Sequence, residues 1–278
     1  MADISKLNLN NTILNLKDKA GREQILSMQM DLLTINHPNN RFEEKDLGTW
    51  SSSSDVDTFF NTYNSDNGYD NLSLGNYVSI ASGFGTNVWM IAGFDTYKGV
   101  GSCTSGGIVL IPKTYLSVSN TTGFTMNSSA TTSGGYNSTI MNSTTLVDIG
   151  TQLQSTLGST HLKSLNILAS SSINASATRT DSLTGCATNC GWISRYVVLP
   201  TEIQIFGSNV WGNSFDGGEY ISQLPVFKFI SPNEYSRWDF WLRAVASSTD
   251  FAYASQSGDC WHRAANTNAG IRPLIYVG

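Results

Sequence analysis

The pattern of apolar and polar residues divides the chain into a short amino-terminal segment and a longer strand-rich remainder. Apolar and polar residues alternate over residues 6–16 around the turn-forming pair Asn10-Asn11, which predicts a small β-hairpin. Residues 16–33 place apolar side chains at near-helical spacing opposite charged ones, which predicts one amphipathic helix. Because a hairpin and one helix bury little apolar surface by themselves, we expect residues 1–49 to be an attachment or oligomerisation segment that packs on identical chains or on a larger assembly.

Residues 50–278 are predicted to form one large β-rich domain. Residues 145–157 carry leucine and isoleucine at helical spacing and end before Gly158, and a second, short helix is predicted to begin at Glu202. The polar stretch 117–143 is interpreted as a long excursion outside the core. The predicted strands, separated by turn-forming residues, are residues 74–80, 88–94, 108–112 and 192–199. Three further apolar clusters, separated by polar and turn-rich sequence, lie at residues 240–245, 251–254 and 271–277. Together these elements indicate an α+β fold with short strands, a few helices and many loops.

Composition narrows the classes of function. Charged residues make up only 13% of the 278 residues, and the formal net charge is −5, so a phosphate-binding basic surface and a nucleic-acid partner are not expected. No apolar run approaches the ~20 residues of a membrane span, so no membrane insertion is expected. The first residues carry no apolar signal segment, and we expect the protein to be made and kept in a cytoplasm, or released by lysis.

The sequence offers few groups that could perform catalysis. It contains three His and no Gly-x-Ser-x-Gly turn or Gly-rich phosphate loop, so we predict that the protein is not an enzyme. The four cysteines include Cys186 and Cys190, which are spaced too widely for a paired zinc site, so no metal and no cofactor are expected. Whether these two cysteines form a bridge is left open. A glycosidase pair of Asp216 and Glu219 is the remaining catalytic alternative.

Three cationic or titratable residues in apolar surroundings are interpreted as structural. His161 follows the predicted helix and precedes a new element, which is typical of a hydrogen-bonded structural histidine. Arg243 and Arg272 lie among apolar neighbours, so we expect each to be buried and to tie loops together through backbone carbonyls and a carboxylate.

The strongest functional signal is the run Asp259-Cys260-Trp261-His262-Arg263 within a background of Ala, Ser, Asn and Gly. Five adjacent side chains of different chemistry show neither helical nor strand periodicity, and we interpret the run as a recognition surface. Trp and Arg dominate binding hot spots, and a Tyr-, Ser- and Asn-rich background is typical of paratopes. The alternative is that Trp261 is a core residue and that His262 has no role.

The same region carries a family resemblance. The frame of Phe240–Arg243, Phe251-Ala252 and Gly270–Pro273 resembles a domain of phages and prophages of gut Firmicutes, and further matches extend the resemblance over residues 70–278. This frame also resembles the C-type-lectin-like fold of the variable proteins of diversity-generating retroelements, which is related to formylglycine-generating enzymes. Those enzymes use a cysteine pair near the end of the domain, where this chain has only Cys260, which argues against that activity.

The resemblance implies a scaffold with a variable region at about residues 240–278. It implies non-catalytic binding without calcium, and the Glu-Pro-Asn and Gln-Pro-Asp triplets of calcium-dependent lectins are absent. The scaffold positions would be Phe240, Trp241, Leu242, Phe251, Ala252, Gly270, Ile271 and Pro273. The diversified, ligand-binding positions would be Asp250, Tyr253, Ser255, Ser257, Asp259, Cys260, Trp261, His262, Arg263, Asn266 and Asn268.

These observations predict a receptor-binding, tail-associated protein of a phage or prophage. The amino-terminal residues resemble the opening of phage tail and baseplate-associated proteins, which implies a location in the virion, tail components as partners and a homo-oligomer, a trimer. The ligand would be a protein or a glycan on the bacterial surface. The alternatives are a purely structural decoration protein of the virion or tail, and an enzyme that acts on surface glycans.

Overall fold

The computed structural model describes residues 6–9, 12–15, 37–63, 69, 71–101, 103–176, 185–216, 222–235 and 238–278. The predicted helix over residues 16–33 and the carboxylate of Glu219 lie outside the described residues. The described chain is rich in sheet and poor in helix, which confirms the mixed α+β class.

The elements are numbered in chain order. The α-helices of the described residues are α1 Ser53–Thr62, α2 Leu146–Leu157 and α3 Glu202–Phe206. The β-strands are β1 Lys6–Leu9, β2 Thr12–Asn15, β3 Asp46–Trp50, β4 Tyr77–Ser82, β5 Gly85–Phe94, β6 Ile108–Pro112, β7 Leu162–Lys163, β8 Leu165–Ile173, β9 Ala187–Arg195, β10 Phe240–Val245, β11 Asp250–Ala254, β12 Cys260–Ala264 and β13 Ile275–Val277.

The strands form four sheets. The largest has the order β3-β4-β5-β6-β13-β7, in which β3 and β4 are parallel and the other neighbours are antiparallel. A second sheet has the order β10-β11-β12, while β8 pairs with β9 and β1 with β2. The predicted hairpin is confirmed, because β1 and β2 pair antiparallel on either side of residues 10–11. The carboxy-terminal strand β13 lies inside the largest sheet, so the chain end is anchored there.

Helices cover the sheet with the faces that the sequence pattern indicates. The α2 stripe of Leu146, Ile149, Leu153 and Leu157 is buried, and the helix ends at Gly158, whose φ of 85° suits glycine. A π-helical turn, Met141–Thr145, precedes α2.

Helix α1 is not among the predicted elements, although its first residues, serines and aspartate, are typical of a helix start. It begins with a capping box in which the Asp55 carboxylate accepts hydrogen bonds from the backbone amides of Ser51 and Ser52. Phe59 of α1 packs edge-on against Trp50, with 5.0 Å between the ring centroids.

The predicted boundary at residue 49 falls within β3. The side chain of Asn39 also pairs with the backbone of Phe94 in both directions, at 2.8 and 2.9 Å. Residues from 37 onward therefore pack on the largest sheet.

The interpretation of residues 117–143 as an excursion outside the core is wrong. Met126, Tyr136 and Met141 are fully buried within this stretch. The backbone amide of Met126 donates to the carbonyl of Ala265, so the stretch lies along the carboxy-terminal segment. Its polar residues satisfy backbone groups of distant parts of the chain, a role that has no local sequence signal.

The two arginines predicted to be structural are buried. Arg272 donates to the carbonyls of Pro112, Lys113 and Pro232 and thereby ties two loops to the segment before β13. Arg243 lies fully buried on β10 and donates to the carbonyl of Leu168 on β8. Both observations confirm the predicted burial and the bonds to backbone carbonyls; the predicted bond to a carboxylate stays a prediction.

Candidate functional site

The predicted recognition run is a strand, and the expectation that it lacks periodicity is wrong. Cys260–Ala264 forms β12, the edge of the three-stranded sheet, and pairs antiparallel with β11. Successive side chains of a strand point to opposite faces. Trp261 is accordingly 50% exposed, whereas the next residue, His262, is only 7% exposed.

The outer face of this sheet joins an arginine to two aromatic rings. Trp261 lies opposite Tyr253 in the register, and the guanidinium of Arg263 lies over the Tyr253 ring, 3.9 Å from its centroid. Arg263 also forms an ion pair with Asp239 and donates to the backbone carbonyl of Asn268 at 3.3 Å. The arginine is therefore fixed in place, and its charge is balanced by Asp239.

A second tryptophan from a distant loop extends this face. The ring of Trp211 stacks on that of Trp261, with 6.2 Å between centroids and 27° between planes. Its indole N–H donates to the carbonyl of Cys260 at 2.9 Å. Our prediction of ligand-binding positions does not include Trp211, which is half-buried and comes from a part of the sequence distant from the nominated run.

Trp238 precedes Asp239, the residue that forms the ion pair with Arg263. It is 40% exposed and packs edge-on against Tyr115, with 5.5 Å between ring centroids. A Cβ atom built on Gly123 would lie 3.9 Å from the Trp238 ring and 3.6 Å from the Asn268 side chain, so these two side chains converge. We define the aromatic surface as the set Trp211, Trp238, Tyr253, Trp261 and Arg263.

Several nominated positions lie beneath the aromatic surface. His262 is buried, and its Nδ1 atom is 2.7 Å from the carboxylate of Asp250, so the assignment of His262 to a ligand-facing role is wrong. The assignment of Ser255 is also wrong, because Ser255 is buried and its hydroxyl accepts the backbone amide of Ser257 within the β11–β12 turn. These residues support the strands.

Cys260 is partly buried, and its thiol donates to the carboxylate of Glu202 at 3.3 Å. Burial and the adjacent carboxylate raise the pKa of this thiol far above its usual range. Cys260 is therefore a supporting residue of the edge strand.

The other nominated positions frame the exposed face. The exposed residues Ser257 and Asp259 lie in the turn before β12, and Asn266 and Asn268 lie in the turn that follows it. Together with Trp261, these residues form the exposed part of the nominated set.

Asp216, one half of the alternative glycosidase pair, is only 4% exposed. Its two carboxylate oxygens accept the backbone amides of Asn213 and Val245, each at 3.0 Å. Burial raises the pKa of Asp216 to about 7. This geometry gives the carboxylate a structural role in the loop that carries Trp211.

No group of three or more His, Cys, Asp or Glu side chains within the described ranges could hold a metal ion. All four cysteines are free, so Cys186 and Cys190 form no bridge. Of the helices in the part of the chain that the structure describes, none is long and apolar enough to cross a membrane.

No protein-family model matches this sequence, and comparisons with curated proteins and with solved structures give no match.

Proposed function

We propose that this protein is a non-catalytic, receptor-binding component of a phage or prophage tail. In this proposal residues 50–278 form a C-type-lectin-like domain, and the aromatic surface binds a protein or glycan on the bacterial surface. The observation that carries the proposal is the half-exposed indole of Trp261, which a second indole supports from a separate loop. A large exposed aromatic group on a rigid edge strand is typical of a binding hot spot.

The aromatic surface is preorganised for binding. Arg263 is already held by Asp239 and by the ring of Tyr253, and Trp211 is held by the carbonyl of Cys260. Binding then requires little further ordering of side chains, which favours affinity.

The charge of the arginine in this surface is balanced within the protein, because Arg263 pairs with Asp239. The Nδ1 atom of His262 is bonded to Asp250 beneath it. Apolar and stacking contacts would therefore supply most of the affinity, and binding would depend only weakly on salt.

The remaining parts of the proposal concern assembly and variation. The amino-terminal hairpin segment would join three copies to each other and to tail components, and display of several surfaces would strengthen weak individual contacts. Diversification by a retroelement would act on the exposed positions Ser257, Asp259, Trp261, Asn266 and Asn268.

The test compares two tryptophans of equal exposure. Trp261→Ala should weaken binding of the fluorescently labelled protein to intact gut Firmicutes cells by about 30-fold or more, since hot-spot truncations cost at least ~2 kcal/mol. Trp192→Ala is the matched control, because Trp192 is 52% exposed and lies on β9, outside the three-stranded sheet. The control should bind as the parent protein does.

Equal binding by the parent protein and the Trp261 variant would contradict the proposal. Normal cell binding combined with loss of particle assembly in the Trp261 variant would favour the structural decoration alternative. Turnover of surface glycans that disappears in Asp216→Ala or Glu219→Ala would instead establish the enzyme alternative.

A further inference from the structure

The loop over residues 207–216 brings Trp211 to the aromatic surface, and this loop has no strand of its own to hold it. We infer that Glu202 is the positioning residue that fixes Trp211 against Trp261 and so completes the surface. This inference rests on the proposed function for its biological meaning, but the geometry that carries it is independent of any ligand.

Glu202 directs three successive backbone amides of the loop toward one carboxylate. Its Oε2 atom accepts the amides of Val210 and Gly212 at 2.8 and 3.0 Å, and its Oε1 atom accepts the amide of Trp211 at 2.9 Å. Consecutive amides that converge on an anion form a nest, in which the anion dictates the backbone conformation. The side chain of Glu202 is completely buried, so water does not compete for these bonds.

The same carboxylate reaches the edge strand. The Cys260 thiol donates to Oε1 of Glu202 at 3.3 Å, and the carbonyl of Cys260 accepts the indole N–H of Trp211 at 2.9 Å. Glu202 thus links the loop backbone to β12, while Cys260 holds the ring. The backbone amide and the indole N–H of Trp211 therefore belong to one connected set of hydrogen bonds.

Glu202 is itself held in place by neighbouring elements. It is the first residue of α3, whose capping box joins Thr201 and Gln204. The side chain of Gln204 donates to the hydroxyl of Tyr97 at 2.6 Å, and Tyr97 is buried against Tyr276 of β13. Support therefore runs from the largest sheet through α3 to the aromatic surface.

The site requires a carboxylate rather than any polar group of the same shape. Both oxygens of Glu202 accept backbone amides, and a carboxylate accepts at both positions. Glutamine has nearly the same volume, but its NH₂ group replaces one of the two oxygens. That NH₂ group would face a backbone N–H, and neither group can accept a hydrogen bond. Glu202→Gln should therefore release the loop with little change in packing volume.

The experiment measures the stacking of Trp211 on Trp261 and requires no ligand. Two stacked indoles give an exciton couplet in circular dichroism, and among the ring pairs of the described residues only Trp211–Trp261 joins two tryptophans. Trp211→Phe should abolish the couplet and thereby assign it. Glu202→Gln should remove most of its amplitude while cooperative unfolding persists.

The matched control is Asp55→Asn. Asp55 also accepts two backbone amides through its carboxylate, but it lies at the start of α1. This variant should keep the full couplet. A full couplet in Glu202→Gln would overturn the inference.

Hydrogen exchange of the unmodified protein covers the case in which Glu202→Gln does not fold. The amides of Val210, Trp211 and Gly212 should be protected as strand amides are, although they lie in a loop. Exchange at the rate of an open loop would overturn the inference. Because neither measurement uses cells, unchanged cell binding by the Trp261→Ala variant would count against the proposed function alone.

Discussion

At the scale of single residues, Asp216 couples stability to pH. Its oxygens accept two backbone amides, yet burial and the nearby Glu202 hold its pKa at about 7. In the unfolded chain an aspartate ionises near ~3.9. The folded state therefore binds this proton more tightly. The stability contributed by the protonated group is complete below about pH 4 and is lost as the pH rises through about 7.

Asp216→Asn should remove this pH dependence. A shift of about three pKa units corresponds to about 4 kcal/mol, so the decline in the free energy of unfolding between pH 4 and pH 7 should be smaller in the variant by roughly that amount. Urea denaturation at a series of pH values measures the difference. The absolute stability of the variant should also fall, because one amide NH₂ replaces an acceptor of a backbone amide.

The control for this experiment is Asp55→Asn, because hydrogen bonds from Ser51 and Ser52 lower the pKa of Asp55. Its contribution changes with pH in the opposite sense. A parent-like pH profile in Asp216→Asn would show that Asp216 is not the group responsible.

The sequence predicts the burial of single residues well where their sequence neighbours are apolar. It predicts poorly which face of a strand a side chain occupies. Arg272 sits among apolar residues, and its burial with bonds to carbonyls was predictable. His262 was assigned to a ligand because it stands between Trp261 and Arg263. Side chains alternate between the two faces of a strand, so His262 points inward when Trp261 points outward. A prediction of strand β12 would therefore have placed His262 on the inner face.

At the scale of elements, α2 supplies a test of the packing argument. Leu153 is completely buried in its apolar stripe, whereas Val147 on the same helix is 40% exposed. Leu153→Ala should lower the free energy of unfolding by about 2–5 kcal/mol, because it removes buried methyl groups and leaves a cavity. Val147→Ala should change it by less than about 0.5 kcal/mol. Equal effects in urea denaturation would contradict the packing of this face.

Helices and strands with a clear apolar periodicity or a turn-forming residue at their end can be predicted from the sequence. Segments that are stabilised by residues far away in the sequence cannot. Strand β6 matches its apolar run, and α2 ends at Gly158 as predicted. Strand β9 ends at Arg195, before the predicted strand over residues 192–199 is complete. Residues 117–143 also bond to residues more than a hundred positions away, for example through the bond from Thr132 to the carbonyl of Ser247.

At the scale of the whole molecule, the carboxy-terminal segment is fixed at both ends. Strand β10 begins the small sheet, and β13 lies between β6 and β7 in the largest sheet. The positions nominated as scaffold are all buried, namely Phe240, Trp241, Leu242, Phe251, Ala252, Gly270, Ile271 and Pro273. The exposed nominated positions lie between these anchors, so the chain can change there without disturbing the core.

Because the scaffold positions are buried and these nominated positions are exposed, several exposed positions should tolerate substitution at the same time. A variant with Ser257→Ala, Asp259→Ala, Asn266→Ala and Asn268→Ala should lose no more than about 2 kcal/mol in the free energy of unfolding, because each exposed substitution costs within about 0.5 kcal/mol. Phe251→Ala, a single change at a completely buried position, should cost about 3–5 kcal/mol. Urea denaturation of the two variants measures both values. If the fourfold variant were the less stable of the two, the exposed turns would be part of the framework, and diversification could not act on them without loss of the fold.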